Sequence, residues 1–184
     1  MTIAPLGREA TLEDLWNVEE RAELIDGEIL LVTPTGHRPS RAAARIWQSL
    51  DGYEATHGGG FAVSEGPGFV LRTPRIQVLS PDAAWWAGDS IDPGQIQGAP
   101  RFAAEVRSES DYGPAAERTM AIKRSLYFAA GTLVVWDVDV LREGWIRVHR
   151  ADDPEHPVVF RRGEAADADP AVPGWRFPVD ELFR

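Results

Sequence analysis

The chain opens on alternating helical and strand-like stretches of apolar and polar residues. Leu12, Leu15, Trp16 and Glu19 fall at helical spacing, and Thr11 with Asp14 forms a capping-box pattern, so a short helix is predicted over 11–20. The stretch Glu23–Val32 places the turn dipeptide Asp26-Gly27 between strand-forming residues, which predicts a β-hairpin. After the Pro34-Thr35-Gly36 loop, Ala43, Ile46, Trp47 and Leu50 recur at i, i+3, i+4 and i+7, predicting an amphipathic helix over 40–53. Short strands are expected at 61–64, 68–72 and 76–79, followed by Ser80-Pro81-Asp82 and a Gly/Pro-rich loop at 88–100.

In Phe102–Arg107, strict alternation sets Phe102, Ala104 and Val106 on one face and Ala103, Glu105 and Arg107 on the other. A helix over 114–130, closed by Gly131, leads to the β-branched run 133–140, so strand, helix and strand read as a parallel crossover. Residues 145–149 and 158–161 predict an antiparallel ribbon, and the acidic, alanine-rich 164–170 reads as a loop. With no internal repeat and too little chain on either side of any loop for two cores, one domain over 1–184 is expected.

Composition narrows the class. A 43% apolar content with seven tryptophans supports a substantial core, and the absence of cysteine removes disulfides and thiolate zinc sites. No apolar run approaches the ~18 residues that a bilayer span needs, and the first ten residues lack a secretory pattern, so a cytoplasmic protein without membrane attachment is expected. The net charge of −10 argues against a broad nucleic-acid coat, which needs clustered cations. It leaves room for a phosphodiester enzyme whose bound cations invert the local charge balance.

Of the 19 basic residues 18 are arginine, so the single lysine, Lys123, stands out. One face of its predicted helix reads Ala116, Thr119, Met120, Lys123, Leu126, Tyr127 and Ala130, with Glu117 and Arg124 opposite. A lysine within such a stripe either has a buried carboxylate or phosphate partner or snorkels at the rim. Glu105, mid-strand among apolar residues, either binds something cationic or faces solvent at an edge. Asp82 is either a turn residue or a side chain aimed from a strand end into a cleft.

The strings ELIDGEILLVTPTG, SPD, PRFAAEVRSESD, K-x3-Y with AAGTLVVWDVD, and PGWRFPVDELF occur in this order across nearly the whole chain. Together they resemble the Uma-two family of endonucleases, within the restriction-endonuclease-like PD-(D/E)XK superfamily. The resemblance implies an α/β fold with a mixed central β-sheet flanked by helices, here with an N-terminal extension forming helix, hairpin and helix. By the same resemblance, Asp82 and Glu105 would be catalytic metal ligands, and Glu23 a further ligand or, equally, an exposed hairpin carboxylate. Where the superfamily keeps lysine, two positions after Glu105, this chain has Arg107, and Lys123 would supply the charge instead. Ser108 and Asp111 would shape the following loop or cap a helix, and His37 is not counted as catalytic.

Hard carboxylate oxygens suit magnesium or manganese, which take their remaining ligands from water and substrate phosphate. The expected activity is metal-dependent phosphodiester hydrolysis of nucleic acid, DNA in the first instance, by a homodimer, because two-strand cleavage uses two copies of one site. The rival readings are a catalytically inactive binding or assembly module on the same fold, and a hydrolase of smaller phosphate esters.

Overall fold

A computed structural model describes residues 7–88 and 94–184; part of the loop expected at 88–100 thus lies outside the described residues. Helix α1 (Leu12–Trp16) starts on the Thr11–Asp14 capping box and is shorter than expected. It leads into strands β1 (Ala22–Ile25) and β2 (Glu28–Leu31), whose turn residues Asp26 and Gly27 have φ of 50° and 80°. Positive φ at both central positions is what a tight primed hairpin turn requires, and Asn, Asp and Gly tolerate it best. The long helix α2 (His37–His57) extends beyond the predicted span at both ends and buries Ala42, Ala43, Ile46 and Leu50.

Strands β3 (Phe61–Ser64), β4 (Phe69–Arg72) and β5 (Ile76–Leu79) fall where the alternation places them. Two further strands, β6 (Ala83–Trp86) and β7 (Ile96–Gln97), were not expected. Then come β8 (Phe102–Val106), helix α3 (Pro114–Ala129), β9 (Val134–Asp139), β10 (Trp145–Arg150) and β11 (Asp153–Arg161). The stretch predicted as a loop at 164–170 contains β12 (Ala165–Asp167), which pairs with β13 (Arg176–Pro178) before a terminal 3-10 turn over Val179–Phe183. Alanine and aspartate carry little strand propensity, so that strand owes its existence to its partner rather than to its own sequence.

The described strands form a six-stranded sheet in the order β11-β10-β9-β8-β6-β3, a five-stranded sheet in the order β2-β1-β5-β4-β7, and the β12-β13 ribbon. In the larger sheet β8 and β9 are parallel, joined by the crossover helix α3, while the other neighbours are antiparallel. This is the expected mixed sheet. Alternation along β8 divides the core: Phe102, Ala104 and Val106 pack with α2, Trp136, Trp175 and Phe177, whereas Ala103 joins Tyr127, Val135 and the inner residues Phe69, Leu71 and Leu79 of the smaller sheet. A third cluster, Leu15, Leu24, Ile29, Val70 and Val78, seats α1 on the outer face of that sheet.

The N-terminal helix, hairpin and helix do occur in that order, but they are not an extension. Strand β1 pairs with β5, and α2 lies across β3, β6 and β8, so both are integral to the layered body. The apolar faces that sequence spacing reveals on these elements have to be buried against another layer, and the central sheet supplies it.

Candidate active site

Asp82 lies in the bend between β5 and β6, one residue before β6 starts. Its backbone N–H donates to the Ala104 carbonyl at 2.9 Å, and its Oδ2 accepts the Val106 N–H at 2.6 Å. The carboxylate is therefore held against β8 next to Glu105. The aspartate has a structural bond of the kind its turn reading implies, and it also lines the cleft beside Glu105.

Glu105 projects from β8 toward α3, and both its oxygens have partners: Lys123 Nζ donates to Oε2 at 2.6 Å, and the Tyr127 hydroxyl donates to Oε1 at 2.8 Å. Lys123 and Tyr127 are four residues apart on α3 and so share a helix face, which explains how one helix grips both oxygens. The Lys123 ammonium also pairs with Glu23 at 3.1 Å, and Glu23 Oε1 in turn accepts the Ser80 N–H at 2.8 Å. Glu23, Glu105 and Lys123 are all at least 88% removed from solvent by side chain. Neither an exposed hairpin glutamate, nor a solvent-edge Glu105, nor a rim lysine is what the fold contains.

These groups line a hollow of about 430 Å³ that also exposes Arg21, Thr35, Ser108, Ser110 and Asp111. The buried carboxylates Glu23 and Glu105 and the half-buried Asp82 lie around one ammonium there, and burial together with excess negative charge shifts their proton affinities. Burial pushes the Asp82 carboxyl up to about 6, with the Val106 N–H and the Lys123 charge acting against the rise. Burial likewise raises Glu105 to about 7, opposed by Lys123 and reinforced by Glu23 and Asp82. For Lys123, burial favours the neutral amine, but Glu105 and Glu23 more than offset this and keep it protonated well above its ordinary range. Tyr127 stays a phenol and a donor, because burial and the neighbouring Glu105 disfavour its anion.

The donor chemistry fits a hard divalent cation, since carboxylate oxygens in electrostatic excess are its preferred ligands. The expected trio of Asp82, Glu105 and Glu23 is nevertheless not a ready-made cage. Among the described residues no three acidic or histidine side chains meet as a ligand set, and Lys123 lies between Glu23 and Glu105. Asp82 and Glu105 fit as protein ligands of an ion that draws the rest of its shell from water and phosphate; Glu23 fits better as the group that positions Lys123.

Arg107 does not reach this hollow. Its Nε and one terminal nitrogen grip buried Asp137 of β9 at 2.6 and 2.7 Å, and its two terminal nitrogens bind Glu117 of α3 at 2.5 and 3.0 Å. With 2% exposure it is committed to clamping β8, β9 and α3 together. Ser108 and Asp111 do not cap α3, whose N-cap is Gly113; Ser108 donates from its N–H and hydroxyl to Asp111 Oδ2, closing the loop that rims the hollow. His37 lies outside this hollow. Sequence reasoning missed Arg21, which is ion-paired with Glu65, and the hydroxyl role of Tyr127, although the latter was visible as the residue four after the lone lysine.

Comparison with known proteins agrees with this architecture. A family model described as "Uma2: Putative restriction endonuclease" matches residues 10–180. Among solved structures, "a putative nuclease belonging to DUF820 from Anabaena variabilis ATCC 29413" superposes with a TM-score of 0.72 at 19% identity, covering 94% of this chain and 97% of that one. At that identity the likeness establishes a shared fold. The curated proteins hold no match to the chain.

Proposed function

The chain belongs to the Uma2 family of restriction-endonuclease-like proteins, and from that premise we propose that it is a divalent-metal-dependent nuclease cutting phosphodiester bonds, with DNA as substrate. The observation that carries the proposal is the 2.6 Å contact between Lys123 and Glu105 in the hollow that Asp82 also lines. A lysine on α3 thereby delivers to the acid pair the charge that Arg107, turned onto Asp137 and Glu117, does not.

Asp82 and Glu105 would hold magnesium or manganese. When bound, the cation supplies positive charge against the phosphoryl oxygens and favours ionisation of a water molecule. Lys123 orients that water and offsets negative charge that grows in the transition state. Tyr127 and Ser80 act as positioning groups: the Tyr127 hydroxyl fixes Glu105 and the Ser80 N–H fixes Glu23, and through them the lysine. In the net reaction, water oxygen bonds to phosphorus, one P–O ester bond breaks, and the departing oxygen takes up a proton.

One observation favours the rival reading, an inactive module that keeps the fold: both Glu105 oxygens are already engaged, by Lys123 and Tyr127. Incubating a supercoiled plasmid with magnesium or manganese and wild type, D82N, E105Q or K123M separates the two. Nicking by wild type that drops at least about a hundredfold in D82N and E105Q supports the nuclease, since removing one electrostatic stabiliser typically costs that much. Wild type that leaves the plasmid intact while binding DNA supports the inactive module.

A further inference from the structure

We propose that a second hollow, built on the same two loops that rim the acid pocket, is a phosphate-binding notch that holds the nucleic-acid backbone away from the cutting site. The inference rests on the nuclease reading for its substrate class but not for its geometry. The acid pocket is lined by Thr35 and by Ser108 and Ser110; the second hollow, of about 620 Å³, is lined by their chain neighbours Gly36 and Glu109. Since successive Cα atoms are about 3.8 Å apart, the two linings adjoin at both loops, close enough for one nucleic-acid strand to reach from one hollow to the other.

The charge in the second hollow is opposite in sense to that of the first. Arg38, Arg142 and His37 line it against a single acid, Glu109, in a chain of net charge −10. Among the described residues neither Arg38 nor Arg142 has an ion-pair partner, whereas Arg45, further along α2, pairs with Glu181. The Arg142 guanidinium instead lies 3.8 Å over the Tyr112 ring. Stacking leaves the edge of the guanidinium, with its N–H fork, open to an anion.

The platform beneath that arginine is rigid. Tyr112 donates its hydroxyl to Asp139 at 2.5 Å, and the same carboxylate accepts the N–H groups of Leu141, Arg142 and Glu143 at 3.0, 3.1 and 2.8 Å. Asp139 is 1% exposed at the end of β9, so the arginine-bearing loop and the ring it stacks on are both fastened to the central sheet. An exposed cation held in place by a buried carboxylate loses little side-chain freedom on meeting a phosphate. Tyr112 and Leu141 add an apolar wall for sugar or base. A polyanion approaching an acidic pocket needs such an attraction from elsewhere on the surface, and this notch supplies it at the pocket's rim.

The test is fluorescence anisotropy of a labelled 20-base-pair DNA duplex with wild type, R142Q, R142K and the R38Q/R142Q double variant, in calcium so that no cleavage intervenes. The double variant is expected to bind about tenfold more weakly and to lower the salt slope of log Kd by about 2, as for two lost phosphate contacts. R142K, which keeps the charge, should fall between, and unchanged thermal melts show that each variant is folded. Equal affinity and equal salt slope in wild type and the double variant overturn the notch, even if the plasmid assay shows cleavage. Lost binding in the double variant with an intact plasmid in wild type sustains the notch while the nuclease reading fails. Titration of inorganic phosphate distinguishes the source: binding of free phosphate that R142Q abolishes, with duplex affinity unchanged, assigns the hollow to a small anion and overturns the backbone role.

Discussion

Arg107→Lys places a lysine where the restriction-endonuclease-like superfamily keeps one, and the structure predicts that it weakens the fold without improving catalysis. Arg107 makes two bonds to Asp137, two to Glu117 and one to the Asp111 carbonyl, and its guanidinium lies 5.2 Å from the Trp145 ring. A lysine has three donors on one nitrogen and a shorter reach, so at least two of those five bonds are lost. Losing about two charge-assisted bonds at about 1.5 kcal/mol each gives a cost of about 3 kcal/mol. That lies at the low end of what breaking a buried ion pair costs, about 3–5 kcal/mol, because Asp137 is still partly neutralised. With a urea m-value of about 2 kcal/mol/M, the midpoint should fall by about 1.5 M at unchanged m. Plasmid cleavage, measured below the unfolding transition, should not rise. A variant with an unshifted midpoint and faster cleavage would refute the argument, since Arg107 would then be standing in for the superfamily lysine rather than clamping the sheet to α3.

Other consequences follow from the same electrostatics. Asp82 titrates higher folded than unfolded, so the native state binds the extra proton: the contribution of this group to stability is fullest below about pH 4 and is lost as pH rises through about 6. Moving from the ordinary value of 3.8 to about 6 corresponds to about 3 kcal/mol at 1.36 kcal/mol per tenfold in proton affinity. Melting curves without metal should therefore show D82N gaining on wild type between pH 4 and 7, and a parallel pH dependence in the two would contradict the assignment. Adding manganese should raise the melting temperature more at pH 7.5 than at pH 5, where protons compete for the carboxylates. Tyr127→Phe removes the donor to Glu105 Oε1 from a fully buried site and should cost about 2 kcal/mol in urea melts. It should also lower kcat more than it raises KM, whereas a change in KM alone would assign Tyr127 to substrate binding.

Where local spacing decides an element, the sequence was informative. Asp26-Gly27 specified the hairpin, the alternation in 102–107 separated the two faces of β8, and the solitary lysine on an apolar stripe pointed to a buried anionic partner. What spacing could not reach were contacts closed over long stretches of chain. Glu23 looked as fit for a solvent-facing hairpin as for a pocket, and only the pairing of β1 with β5 and the approach of α3 bury it. Strand β6 was hidden because Ala83-Ala84-Trp85-Trp86 does not alternate; it is covered on both faces, with Ala83 and Trp85 against α2 and Ala84 toward the smaller sheet. Arg107 was judged by its place in a motif, yet its role is set by Asp137 and Glu117, which lie 30 and 10 residues further on. The cationic hollow was equally invisible, because Arg38 and Arg142 meet only through the fold.

The placement of Lys123 on the crossover helix also bears on how the molecule opens and closes. Strands β6 and β8 can pair through backbone bonds alone, but Glu105 would then have no counter-charge and Asp82 only the charge of Arg21. Docking of α3 is the event that brings the ammonium to Glu105 and Glu23, and its other side engages Arg107 through Glu117. Undocking this one helix would break both ion clusters at once. Amide protection along α3 and the competence of the acid pocket should therefore rise and fall together, making the helix a cooperative unit whose local opening disarms the site before the sheets come apart.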